Sequence, residues 1–172
     1  MALIGVGVLS SIWCLTAARQ LSPTFDEPFY IVQGLDYWQT GDRRDLLLSG
    51  VMPLSTHVQT LSLWIVERAT GHKWVWEQDV GPMLAIARGT NLLFWWLLLF
   101  YVMRLGRAIG GAWAGRLSVM LIGFEPNFLA HASLATTDLS LAGCLVMFVY
   151  HFRASRHLDW RRRVALDRKS VV

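Results

Sequence analysis

Leu92-Leu93-Phe94-Trp95-Trp96-Leu97-Leu98-Leu99-Phe100-Tyr101-Val102-Met103 is an uninterrupted apolar and aromatic run without a single charge. Extended back to Met83 it becomes long enough to decide the fold. As a helix rising 1.5 Å per residue, Met83 to Met103 reaches about 31 Å, the thickness of a bilayer's hydrocarbon core. The segment is entered through the Gly81-Pro82 break and carries Arg88 and Asn91 in its first turns.

Working outward, three more apolar segments appear. Ala2 to Ala18 is uncharged; Thr16-Ala17-Ala18 has the small residues of a signal-peptidase site, but no Lys or Arg precedes the run, which favours a retained anchor. Ala108 to Phe124 carries Arg116 near its middle, and Gly106-x-x-x-Gly110 and Gly111-x-x-x-Gly115 would let it approach a neighbouring helix closely. Leu139 to Phe152 is the fourth and shortest. The expected fold is therefore all-α: one polytopic membrane domain over 1–172, with spans near 2–18, 83–103, 108–124 and 139–152, an outer loop over 19–82 and a basic tail over 153–172.

The composition agrees. Of 172 residues 54% are hydrophobic and only 16% charged, with a mean hydropathy of +0.39, against roughly 25% charged in an average soluble domain. Nine Trp, eight Phe and four Tyr suit a molecule with extensive membrane–water interface. Disorder and an ordinary soluble enzyme are poor fits. Cys14 and Cys144 each lie in an apolar run, which predicts neither a disulfide nor a zinc site.

Charge sets the expected orientation. The stretch 19–84 holds five basic against eight acidic residues, whereas Arg104, Arg107 and the tail hold nine basic against two acidic. The positive-inside rule puts the Arg104–Arg107 turn and the C-terminus in the cytoplasm, and the first loop and 125–138 outside. The basic tail reads as a stop-transfer signal touching anionic lipid rather than a nucleic-acid patch.

Two helices are expected in the outer loop. Asp26-Glu27-Pro28 is a helix-start signature and Gly41 a stop, with Ile31, Leu35 and Trp38 on one face between them. A second helix runs from Pro53 to about Thr70, stopped by Gly71, with Leu54, Val58, Leu61 and Ile65 as its apolar stripe. Both read as amphipathic helices on the outer membrane surface.

Two acidic sites fall at equivalent depth: Asp26-Glu27 after the first span and Asp138 at the outer end of the fourth. From spacing alone each is read first as a helix cap. Their convergence on one side of one membrane raises the functional reading.

Asp26-Glu27-Pro28-Phe29-Tyr30, with Gly34-Leu35-Asp36-Tyr37-Trp38 and Gly41-Asp42 behind it, resembles the first outer loop of C-type glycosyltransferases. The similarity is to the bacterial protein O-mannosyltransferase and aminoarabinose transferase group, family 39. Phe124-Glu125-Pro126-Asn127-Phe128-Leu129-Ala130-His131, continuing through Ala132-Ser133-Leu134-Ala135-Thr136-Thr137 to Asp138, resembles a second segment in which a proline and a small-residue run precede an Asp. The resemblance covers most of the chain and the amino-terminal part of the GT-C fold. It departs at Val51-Met52-Pro53-Leu54, where many relatives have His-Pro-Pro-Leu.

The resemblance implies transfer of a sugar from a polyprenyl-phosphate carrier to an acceptor hydroxyl on a protein, lipid or glycan at the outer face of a bacterial inner membrane. It implies Asp26 as general base and Asp138 as a second catalytic carboxylate that orients the acceptor or helps hold a divalent cation. Glu27, Tyr30, Arg88 and His131 are the expected substrate-binding residues, with Arg88 either gripping the carrier phosphate or snorkelling to the interface. Membrane lipids and a partner chain supplying further helices are the other implied contacts. A non-catalytic membrane module is the competing reading, and a small transporter a more distant one. His57 and Trp95-Trp96 are read as interfacial or packing residues.

Overall fold

The computed structural model describes residues 2–156, and among these the fold is entirely helical. In chain order the helices are α1 (Ala2–Ala18), α2 (Glu27–Thr40), α3 (Arg44–Leu48), α4 (Pro53–Thr70), α5 (Trp76–Gly123), α6 (Pro126–Ala132) and α7 (Asp138–Ser155). The basic tail beyond residue 156 lies outside the described residues.

Helices α2 and α4 end where expected, each on a glycine in the left-handed region: Gly41 at φ 81° and Gly71 at φ 74°. A Cβ is strained there, so glycine is the residue that lets the chain leave the helix. Pro28 and Pro53 lie in the first turns, where a missing N–H costs nothing.

The segments expected as separate second and third spans form one element, α5, broken at two places. Asp79, three residues before Pro82, has non-helical φ/ψ, as expected where the ring displaces the preceding turn. At Gly110 and Gly111 the chain turns back on itself, Gly111 taking φ 76° and ψ −167°. The two arms then pack so closely that a Cβ on Gly106 would come within 3.1 Å of the Ala114 carbonyl oxygen, and one on Gly115 within 2.9 Å of that of Met103. The glycines flagged in the sequence thus make an antiparallel helical hairpin.

The second arm, 112–123, is only about 18 Å long. It stops at Phe124, and α6, unexpected from the sequence, continues from a cap in which the Glu125 carboxylate accepts from the Phe128 N–H at 2.8 Å. α6 packs beside α1, where Leu129 presents its carbonyl to the Cys14 thiol at 3.7 Å. α7 extends slightly beyond the expected 139–152 at both ends. The short α3 was also unforeseen. Cys14 and Cys144 are free thiols.

The core of the bundle lies between α1, the hairpin and α7. Trp95, Leu98, Leu99, Val119 and Leu139 are fully buried there. Ser10 Oγ accepts from the Trp95 indole at 2.9 Å and donates to the Val6 carbonyl at 2.7 Å, so the Ser10 hydroxyl and the Trp95 N–H satisfy each other within this apolar layer. Arg107 and Arg116 lie near Ala2 and Leu3 at one end. Helices α2 and α4 form a cap at the other end, around Ile31, Leu35, Leu63 and Ala87.

α4 reverses the expected facing. Its buried face is Ser55, Thr56, Gln59, Thr60 and Leu63, while Leu54 and Ile65 of the apolar stripe are 59% and 52% exposed. Close approach explains this: a Cβ on Gly34 of α2 would sit 2.7 Å from Thr60 Oγ1. Small hydroxylated residues fit that crossing where leucines would not.

Of the described residues, one helix, Trp76–Gly123, is long and apolar enough to cross a membrane by length and composition; Ala2–Ala18 is a shorter apolar helix.

Candidate functional site

The capped end of the bundle is organised by one buried ion pair. Glu27 in the first turn of α2 has no exposed surface, and Arg88 from the start of the long α5 arm meets it side-on. Arg88 Nε donates to Glu27 Oε1 at 2.8 Å and Nη2 to Oε2 at 2.6 Å. The remaining guanidinium hydrogens go to backbone carbonyls of the α1–α2 connection: Nη1 to Ala18 at 2.6 Å and Leu21 at 2.9 Å, Nη2 to Ser22 at 3.0 Å. All five donors of the side chain are satisfied. Each Glu27 oxygen also accepts a backbone N–H, Oε1 from Ala135 at 2.7 Å and Oε2 from Thr24 at 2.9 Å.

Burial pushes the Glu27 carboxyl upward. The Arg88 guanidinium and the Ala135 and Thr24 N–H groups outweigh it and hold the group below the ordinary glutamate value. Expected as substrate-binding residues, Glu27 and Arg88 are joined inside the protein. A phosphate could reach Arg88 only by displacing one of these bonds.

The Glu27–Ala135 bond brings together the two acidic segments, which lie far apart in sequence. A second tie reinforces it: Gln59 Nε2 donates to the Thr136 carbonyl at 2.8 Å and to Asn91 Oδ1 at 2.9 Å, and Asn91 Nδ2 donates to the Leu134 carbonyl at 2.6 Å. Sequence reading missed this hub. Asn91, an amide in the first turns of an apolar span, was the available signal; Gln59 became significant only once the polar face of α4 was known to be buried.

Around these ties the predicted surface residues gather. Asp26 occupies the N-cap position of α2 but makes no side-chain capping bond, and its carboxylate is open to solvent. One helical turn on, Tyr30 faces the Thr137 side chain, with the charges of Asp26 and Asp138 both in range of its phenol. Burial raises the Tyr30 phenol above its ordinary value, Asp26 and Asp138 push the same way, and Thr137 partly opposes them. Asp138 Oδ2 accepts from Thr136 Oγ1 at 3.0 Å and lies 3.3 Å from His131 Nδ1, with both the His131 and Asp138 side chains about half exposed. Asp138 sits in the first turn of α7 rather than at its cap, which is Thr137.

His57 lies apart, stacked on Tyr37 with ring centroids 3.7 Å apart. Burial, with Arg43 nearby, lowers its pKa, so it is a neutral packing residue near pH 7. Among the described residues no group of three or more His, Cys, Asp or Glu side chains is gathered as a metal site.

Asp26, Tyr30, Thr137, Asp138 and His131 thus form an exposed acidic cluster on a buried, charge-neutral scaffold. Such an arrangement can accept a proton at Asp26 and orient hydroxyl groups at Tyr30, Asp138 and His131. Comparison of the chain with protein-family models, with curated proteins and with solved structures finds no match.

Proposed function

We propose that this chain is a polytopic membrane glycosyltransferase, or a module of one, that transfers a sugar from a polyprenyl-phosphate carrier to an acceptor hydroxyl at the outer membrane face. The observation that carries this reading is the shared environment of Asp26, Tyr30 and Asp138, two separate acidic segments tied to one rigid base through Glu27. In the proposed step Asp26 takes the acceptor's proton as its oxygen attacks the anomeric carbon. The carbon–oxygen bond to phosphate breaks, and polyprenyl phosphate leaves with inversion at the sugar. Asp138, with His131, orients the acceptor.

Several features support a membrane setting. Leu141, Leu145, Phe148 and Phe152 on α7 and Ile4, Leu9 and Trp13 on α1 are largely exposed, as are Trp113, Leu117 and Leu121 on the hairpin. So much outward apolar surface suits lipid, because water would leave it unburied. Arg104, Arg107 and Arg116 lie at the end opposite the acidic cluster, the charge asymmetry expected if that end faces the cytoplasm.

The deciding experiment is transfer of radiolabelled sugar from a panel of polyprenyl-phosphate donors by membranes containing this chain, with Asp26→Asn beside it. Transfer lost in the variant, at equal membrane insertion, supports the reading; transfer retained overturns Asp26 as the base.

One observation favours a second reading, a membrane module that works with a partner chain. Glu125 lies where the hairpin gives way to α6, at the level of the bundle between Val6 and Cys14 of α1 and next to exposed Phe124. Its two oxygens are held within the chain by the Asn127 amide and the Phe128 N–H, each at 2.8 Å, so it is the exposed apolar surface beside it that calls for a covering partner. Transfer absent from the chain alone, but restored by adding membranes of the source organism that themselves lack this chain, would select this reading.

A further inference from the structure

Along α2 beyond Tyr30, two adjoining hollows open between α2, α4, the 71–77 connection and the first turns of α5. Their volumes are about 460 and about 310 Å³, and Gln39 lines both. Gln39 is thirteen residues beyond Asp26 in sequence, about 20 Å along the helix, and the smaller hollow runs back from it along α2 through Asp36 and Leu35 to Val32, two residues beyond Tyr30. Its size is in the range of small-molecule sites, roughly 300–1,000 Å³.

The lining is unusual for a surface depression. Trp64 forms part of the larger hollow, and Trp74 and Trp76 part of the smaller. Trp64 and Trp74 are held in place: Trp74 donates its indole N–H to the Leu63 carbonyl at 2.9 Å and meets His72 at 4.8 Å, and Trp64 packs against Trp38 at 5.7 Å with the Arg68 guanidinium 5.3 Å over its ring. Trp76 is half-buried and has neither a ring partner nor a hydrogen bond for its indole N–H among the described residues. Glu67 is fixed by Gln39, whose Nε2 lies 2.9 and 3.1 Å from its two oxygens. Asp36, Glu77 and Lys73 also line the cleft, and their charged groups have no partner among the described residues.

We propose that this cleft binds a neutral saccharide, which makes the acceptor of the proposed reaction a glycan. The chemistry is that of a ligand with apolar C–H faces and hydroxyl rims. The Trp76 indole, the one of the three without a ring or cation partner among the described residues, covers the former; carboxylates, an amide and a lysine pair with the latter. The near balance of Asp36, Glu67 and Glu77 against Arg68 and Lys73 selects neither a phosphate nor a polyamine. The assignment of the saccharide as acceptor rests on the transferase reading; the binding itself does not.

The test is calorimetric titration of the full chain in detergent with maltotetraose, mannotetraose and chitotetraose, and with inorganic phosphate and spermine as charged probes. Saturable binding of at least one saccharide is expected. Asp36→Asn and Trp76→Ala should each weaken it about tenfold, the loss of one good polar or stacking contact, while Gly5→Ala, in open space on α1, leaves it intact. The conservative Glu77→Gln, on an exposed residue, provides a variant whose folding is not in question and should also weaken it. No binding of any saccharide, binding indifferent to these cleft substitutions, or binding only of a charged probe would overturn the proposal. Saccharide binding without sugar transfer, even when membranes of the source organism that lack this chain are added, overturns the transferase reading alone, and transfer without saccharide binding overturns the cleft alone.

Discussion

Arg88 and Glu27, 61 residues apart in sequence, meet in a two-point ion pair with no exposed side-chain surface to speak of, and every remaining donor and lone-pair direction there is taken by backbone. The pair joins the end of α1, the start of α2, the long α5 arm and the approach to α7. Four segments therefore depend on two side chains.

Removing one partner strands a buried charge. Arg88→Met or Glu27→Leu alone should destabilise the protein by about 3–5 kcal/mol, whereas the double replacement should recover much of that loss. Denaturant titration in detergent of the two single variants and the double variant checks this; additive losses would show that the pair does not act as a unit.

The same pair sets an acid limit. Because the folded-state pKa of Glu27 is depressed, its stabilisation is complete above the ordinary glutamate value, about 4.3, and is lost as pH falls through the lower folded value. The unfolding midpoint should fall steeply below about pH 4 in the parent. In Glu27→Gln, already less stable, that limb should be shallower.

At the acidic cluster, Asp26→Asn should lower transfer by about 10²- to 10⁴-fold, the range for a positioned general base. Tyr30→Phe, which keeps the ring but removes the phenol, should act more weakly and leave thermal stability nearly unchanged. A stability loss in Tyr30→Phe as large as its activity loss would make the residue a packing element instead.

The hairpin predicts its own sensitivity. Gly115→Val places branched atoms against the Met103 carbonyl oxygen, and Gly111→Ala puts a Cβ on a residue with φ 76°. Both should lower the melting temperature, Gly115→Val more, because backbone atoms cannot yield as side chains do. Gly5→Ala, with open space around the position, is the control and should be neutral.

Sidedness is open to direct labelling. With Cys14 and Cys144 replaced by Ser, Asp42→Cys should react with a membrane-impermeant maleimide on intact cells. Arg107→Cys should react only after permeabilisation. The reverse pattern would invert the topology inferred from charge.

Much of this architecture was legible in the chain. Gly41 and Gly71 marked the ends of α2 and α4 because a left-handed residue is a local requirement that the sequence states outright. The apolar runs marked the bundle helices for the same reason, since their length and lack of charge are properties of consecutive residues. Gly106 and Gly115 announced a close helix approach, although not that their own two segments were the partners.

What the sequence by itself determined, then, were features whose cause lies within a turn or two of the residue concerned: helical class, caps, apolar segments and the two acidic clusters. The tertiary structure decided which faces met. α4 turned its polar side inward because Gly34 leaves space for Thr60 but not for a leucine, and Glu27 passed from candidate ligand to buried strut because Arg88 and the Ala135 N–H reach it from distant parts of the chain. Asp26, its neighbour, stayed in solvent. A hydrogen bond or a steric fit between residues far apart in sequence leaves no periodic trace, so only the folded chain could separate those two adjacent carboxylates.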